Sequence, residues 1–312
     1  MPETSTPTKA GGGTDSATDA AIKATKSRSL LQDAVRDLVR KPIFIVSAAV
    51  ILFLCVIAAF PGLFTSVDPR ACDLSRSLDK PSMDAWFGYD TRGCDIYART
   101  IYGTRTSIVV GVLATIGSAI LGGLIGTIAG YKTGWIDSLI SRGIDIFLGL
   151  PFLVGAIVIL NSFRGEDGQR IGGIWGVLAA LTVLGWMSMA RIMRGSVIQA
   201  KQADYVTAAQ SLGASTPRMV FRHVLPNAIT PLIVVASISL GVIISVEATL
   251  SFLGVGIQPP TISWGVMVSD SLPRVREAVH PLLFPAAFVS VTVLAFIMLG
   301  DAVRDALDPK LR

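Results

Sequence analysis

Apolar positions in this chain gather into long uncharged runs rather than short alternating stretches. Residues 43–63, 106–130, 146–163, 171–190, 224–246 and 281–300 contain no Asp, Glu, Lys or Arg. A bilayer core of ~30 Å is crossed by about 20 helical residues, so each run has the length of one membrane span. The pattern predicts an all-α, polytopic membrane protein with six transmembrane helices. The fifth run meets Glu247 and then resumes to Ser269. Gly254, Gly256, Pro259 and Pro260 in that continuation predict a re-entrant segment in place of a seventh continuous helix.

The polar positions supply the orientation. Lys23, Lys26, Arg28, Arg36, Arg40 and Lys41 precede the first run. Arg191, Arg194, Lys201, Arg218 and Arg222 stand between the fourth and fifth, opposed only by Asp204. The loop at about 64–105 is balanced between Asp and Arg or Lys. Cations collect on the cytoplasmic side. Both termini and the segment at about 191–225 are therefore expected in the cytosol of a cell whose inner membrane holds the chain. Residues 1–28 are rich in Thr, Ala, Gly and Ser, which predicts a disordered tail. The first apolar run starts too far from Met1, and is too long, to read as a cleaved signal peptide. Leu30, Leu31, Ala34, Val35, Leu38 and Val39 recur at helical spacing, so residues 29–42 read as an amphipathic interfacial helix. A plain basic flank is the alternative.

Composition agrees with the pattern. The chain is 51% hydrophobic and 16% charged, which marks a membrane protein, and its net charge is +5. Juxtamembrane cations facing anionic lipid account for that charge without nucleic acid. No phosphate-cradling loop, zinc spacing or nucleophile-base constellation is present. His223 and His280 are expected on opposite sides of the membrane, so no metal cluster is expected. The chain is not read as an enzyme, and no cofactor is assigned to it.

The segment Ala203-Asp204-Tyr205-Val206-Thr207-Ala208-Ala209-Gln210-Ser211-Leu212-Gly213 carries the most information. Its alanines favour a short helix with little side-chain bulk, which a partner surface can approach closely. Gly213 suits the position just past a helix end, where φ is positive. Thr216 and Pro217 read as an N-cap followed by the first helical residue, with the new helix running on to Pro226. Helix, corner and helix would make a docking hairpin able to transmit a push. An ordinary polar connector fits the same composition.

That segment resembles the cytosolic signature of ABC importer permeases, in which an acid-Ala-Ala triplet precedes a Gly and a later Leu-Pro. Ala208, Ala209, Gly213, Leu225 and Pro226 match it. Phe87, Gly88, Tyr89, Asp90, Gly93 and Asp95, continuing through Arg99, Gly103, Arg105 and Ser107, resemble a stretch of the peptide (dipeptide and oligopeptide) permeases. So do Leu250 to Gly254, Gln258-Pro259-Pro260, Ser263-Trp264-Gly265 and the tail Leu299-Gly300-Asp301 to Pro309. The likeness covers roughly residue 43 to the end and is greatest to the second permease subunit of such importers.

The resemblance implies a type I importer fold and a translocation path for di- or oligopeptides. Two ATPase subunits or domains would dock on the permease hairpins, here 204–224, and carry ATP and Mg. A homologous second permease and an extracytoplasmic peptide-binding protein would complete the assembly. Asp204, Thr207, Ala208, Ala209, Gly213 and Pro226 would form the coupling site; Glu247, Asp90 and Arg105 would line the path or outer mouth. Related permeases carry nickel complexes or other solutes. An ion-coupled secondary transporter would need mid-membrane carboxylates, for which Glu247 is the sole candidate.

This chain departs from the family at several positions. Thr207 stands where the acid is usual, and Asp204 lies one turn earlier. Tyr89 and Cys94 replace the family's Thr and Arg. Cys72 and Cys94 both fall in the loop placed outside the membrane, where oxidation is permitted. They are expected to form a disulfide that folds the loop into a cap, contributing roughly 3 kcal/mol in the chain-entropy model. Two free thiols are the alternative. Gly122, Gly126 and Gly130 repeat at every fourth position, which permits close helix contact or reflects loose glycine enrichment. Glu247 lies ~31 Å along a straight helix from Pro226, near the outer mouth. It would meet the path there, or bond backbone amides of the broken segment.

Overall fold

The computed structural model describes residues 38–163 and 173–307. The tail 1–28 and the interfacial stretch 29–42, apart from 38–42, lie outside the described residues. Five helices are long and apolar enough to cross a bilayer: α1 (Pro42–Ala59), α2 (Ile96–Lys132), α5 (Gly173–Lys201), α7 (Thr216–Phe252) and α9 (His280–Leu307). A bent pair, α3 (Trp135–Leu148) and α4 (Phe152–Ser162), which meet at 94°, makes a sixth pass if the two count as one span. Two short helices, α6 (Asp204–Ser211) and α8 (Trp264–Ser271), flank α7 in sequence. No strand occurs among the described residues.

The third expected run, 146–163, thus falls on this bent pair and not on one continuous helix. Pro151 stands at the break, between α3 and α4. Proline has no amide hydrogen to donate, and its ring disfavours helical backbone angles at Leu150. Two other helices outrun their apolar cores. The Asp95 carboxylate caps α2 by accepting from the Ala98 amide at 2.8 Å, so the helix begins well before residue 106. α5 continues past residue 190 because its arginines are held by α3: Arg194 by Asp137, and Arg191 by Asp145 at 2.6 Å.

The most extensive contact runs between α2 and α5. Gly122, Gly126 and Gly130 form its seam. A Cβ added at these positions would stand 2.7, 2.8 and 2.9 Å from the Cβ atoms of Met189, Met193 and Val197, respectively. Such distances lie far inside van der Waals contact, so the glycine repeat brings the two backbones together. α7 packs on α2, α5 and α9, while α1 lies against α9 and α2.

Contacts between chain ends define two poles. Lys41 before α1 pairs with Asp305 of α9 at 3.2 Å. Lys201, at the end of α5, donates to the Tyr131 carbonyl near the end of α2 at 2.9 Å. The start of α7 lies at this pole, which we call the elbow end. The loop between α1 and α2 and the segment after α7 form the opposite, cap end.

Candidate functional site

The elbow is built from α6, a corner and the first turns of α7. At the close of α6 the Gly213 amide donates to the Gln210 carbonyl at 3.0 Å, and the Ala214 amide to the Ala209 carbonyl at 3.1 Å. These are the paired bonds of a Schellman termination, which needs a left-handed residue between them. Gly213 supplies it with φ +79. Ser215, not Thr216 as expected, takes the N-cap position of the next helix, without a side-chain cap bond. The Met219 amide donates to the Ser215 carbonyl at 2.9 Å, so the helical ladder already starts at Ser215. The backbone then widens into a π segment, Met219–Val224. Pro226 offers no N–H to the Arg222 carbonyl, and Leu225 instead donates to Val220, five residues back.

One face of α6 is anchored and the other is bare. Val206 is only 2% exposed, sunk into a cluster with Met189, Met193, Val197, Met219 and Val224. Ala209 packs on the same cluster. Asp204, Thr207 and Ala208 are exposed, and Leu212 at the corner is 89% exposed. Asp204 and Thr207 are three residues apart on one helix and so share a face. Pro226 is exposed as well. Val206 and Met219 had no signal in the sequence beyond their apolarity.

At the cap end the structure brings Cys72 and Cys94 together as a disulfide. Asp90 organises the turn beside it. One of its carboxylate oxygens accepts from the Arg92 amide at 2.8 Å and the Cys94 amide at 2.9 Å. The other pairs with Arg99 at 3.0 Å. Arg99 is buried, also faces Asp270 of α8 at 3.8 Å, and donates to Cys94 Sγ at 3.2 Å. Arg92 closes the group by pairing with Asp270 at 2.7 Å. Burial pushes the Asp270 carboxyl above the usual carboxylate range, and the two arginines pull it back. Phe87 stacks on Phe284 of α9, ring centres 3.9 Å apart, and fixes the cap to the bundle.

Glu247, near the end of α7, is completely buried. One oxygen accepts from Ser251 at 2.9 Å and from Ser263 at 3.2 Å; the other has no hydrogen-bond partner among the described residues. Ser263 in turn caps α8 by accepting from the Val266 amide at 3.3 Å. The carboxylate thus ties α7 to the re-entrant segment through seryl hydroxyls rather than backbone amides. Asp90 and Glu247, both expected to line an outer mouth, are buried in this chain; Asp90 is held through both oxygens, Glu247 through one. Sequence reasoning gave no role to Arg99, Asp270 or Ser263, although Arg99 and Ser263 lie within the motifs it noted.

Arg105 is placed differently. It is exposed and lines a cavity of about 660 Å³ with Asp68 and Arg70 of the cap, Tyr102 and Thr106 of α2, Ile174 of α5 and Thr261. Among the described residues no group of three or more His, Cys, Asp or Glu is arranged to hold a metal ion.

Residues 122–312 match the family model described as binding-protein-dependent transport system inner membrane component. Residues 29–81 match that of the N-terminal TM domain of oligopeptide transport permease C. The chain is 37% identical to the oligopeptide transport system permease protein OppC of Bacillus subtilis, over 94% of each chain. It is 41% identical to the dipeptide transport system permease protein DppC of the same organism, over 92% of this chain and 88% of the relative. Identity to the glutathione transport system permease protein GsiD of Pectobacterium atrosepticum is 33%, covering 93% and 95%. Among solved structures, a chain of the MetNI methionine ABC transporter superposes with a TM-score of 0.51 at 18% identity, covering 64% of this chain and 94% of that one. At that identity the likeness concerns the fold alone.

Proposed function

The chain belongs to the family of binding-protein-dependent transport system inner membrane components and is a permease subunit of an ABC importer, and on that footing we propose that it carries di- and oligopeptides and receives its power stroke at the elbow 204–224. The two-sided build of α6 supports the coupling reading. Val206 fastens the helix to a core shared by α5 and α7, while Ala208 and Leu212 present a low, unoccupied surface outward. α7 continues from the elbow to the cap end as one helix of 37 residues, ~55 Å at 1.5 Å per residue. A displacement at the elbow therefore reaches the Glu247 tie and the re-entrant segment along a single helix, through its π segment and past Pro231.

In this reading two cytosolic ATPase subunits bind and hydrolyse ATP with Mg, and one seats its surface on α6. Asp204 offers a carboxylate on the face where Thr207 lacks one. A second permease completes the path, an extracytoplasmic binding protein delivers peptide at the cap end, and the elbow faces the cytosol. The peptide assignment rests on the names carried by relatives matched over almost the whole chain. Cysteine introduced at Ala208 should crosslink to an ATPase subunit in the assembled complex. Uptake of labelled trialanine and of glutathione, itself a tripeptide, should disappear when the chain is deleted. No crosslink from either Ala208→Cys or Leu212→Cys would remove the coupling site, and undiminished peptide uptake in the deletion would remove the substrate.

A further inference from the structure

Four arginines near the cap divide into two pairs. Arg92 and Arg99 are paired with carboxylates. Arg70 and Arg105 make no ion pair among the described residues, yet both line the same cavity. Asp68, the acidic side chain in its wall, is held on the cap by accepting from the Arg70 amide at 2.9 Å. The cavity, at about 660 Å³, lies within the range of small-molecule sites. Its walls come from the cap, α2, α5 and the segment before α8, so movement of any one of them reshapes it.

Resting on the reading of the chain as a peptide permease, we propose that this cavity is a reception site for the charged ends of a peptide, with Arg105 and Arg70 taking the C-terminal carboxylate. A guanidinium presents a planar fork that matches a carboxylate with two parallel hydrogen bonds. Arg70 and Arg105 line the cavity against the one carboxylate of Asp68, an excess of positive charge that an anion completes. The hydroxyls of Tyr102, Thr106 and Thr261 supply further donors, and Asp68 is the counterpart for a terminal ammonium. Every unmodified peptide carries these two ends whatever its side chains. The site would therefore read the peptide as a class and leave side-chain discrimination to the delivering protein.

Equilibrium binding of labelled trialanine and trialaninamide to the purified, assembled transporter, without its binding protein, tests this. The wild-type complex should hold trialanine at least tenfold more tightly than the amide. Arg105→Gln should bring both to one weak level, and Arg105→Lys should keep a clear preference for the acid. If the Arg105→Gln complex does not assemble, Arg70→Gln should show the same loss. A wild-type complex without preference for the acid, or a Gln variant that keeps it, overturns the proposal. Peptide uptake in cells separates this from the broader reading: uptake that persists while the preference is absent refutes the reception site alone, whereas no peptide uptake refutes the substrate assignment.

Discussion

Replacing Val206 by Ala should loosen the elbow while leaving the surface it presents to a partner unchanged. Val206 is 2% exposed and is the buried residue of α6. Truncation removes two methyl groups, about 1.6 kcal/mol at ~0.8 kcal/mol per buried carbon, and the residual cavity raises this to about 2 kcal/mol. The loss falls on the docking of α6 against Met193, Val197 and Met219, because Val206 packs in that cluster. A change of about 2 kcal/mol alters the ratio of docked to undocked elbow about 30-fold. Hydrogen exchange of the amides of Leu212, Gly213 and Ala214, which close the corner through bonds to Ala208, Gln210 and Ala209, should quicken by a similar factor. In reconstituted transporter, ATP hydrolysed per peptide moved should rise, since a loosely held α6 yields before it moves α7. Leu212→Ala is the contrasting variant. At 89% exposure its side chain contributes little to the fold, so exchange should stay at the wild-type rate. Unchanged exchange and unchanged stoichiometry in Val206→Ala would show that the anchor does not hold the elbow, and the mechanical reading would fall.

Gly126→Leu should separate α2 from α5, because even a Cβ there would come within 2.8 Å of Met193 Cβ. We expect a loss of about 3 kcal/mol, the upper end for overpacking, read as a lower midpoint in thermal unfolding of the solubilised protein. Gly213→Ala should cost about 1 kcal/mol from backbone alone, since no atom lies within 4 Å of the added Cβ while φ is +79; Gly213→Asn should cost less. Hydrogen exchange at the corner distinguishes them. Breaking the bridge between Cys72 and Cys94, which are 22 residues apart, by Cys94→Ser should release about 3 kcal/mol of loop constraint. Limited proteolysis should then cut the cap between these positions faster than in wild type, and recovery of both wild-type cysteines as free thiols would remove the premise.

Much of the architecture was legible because the bilayer imposes a local rule. Backbone groups inside hydrocarbon must bond within their own helix, so long uncharged runs announce helices one by one. Gly213 announced its corner for a similarly local reason, since a left-handed helix termination favours a residue without Cβ. The third run is continuous in apolarity while its backbone is not, since the helix pair breaks at Pro151.

What remained hidden depends on residues far apart in the chain meeting in space. Asp90, Arg99 and Asp270 make one charge cluster across α2, the cap and α8. Glu247 stood alone in an apolar tract of the sequence, and only the folding back of Ser263 brings one of its oxygens a partner from outside α7. Arg105 and Asp90 sit in one sequence motif, yet one faces a cavity and the other is sealed in a turn. Composition and spacing determine which segments leave water and where the backbone must turn, because those are properties of short stretches. Which charges are neutralised, and which stay unpaired among the described residues, was decided by tertiary packing alone, because pairing energy depends on distance and burial that no short stretch specifies.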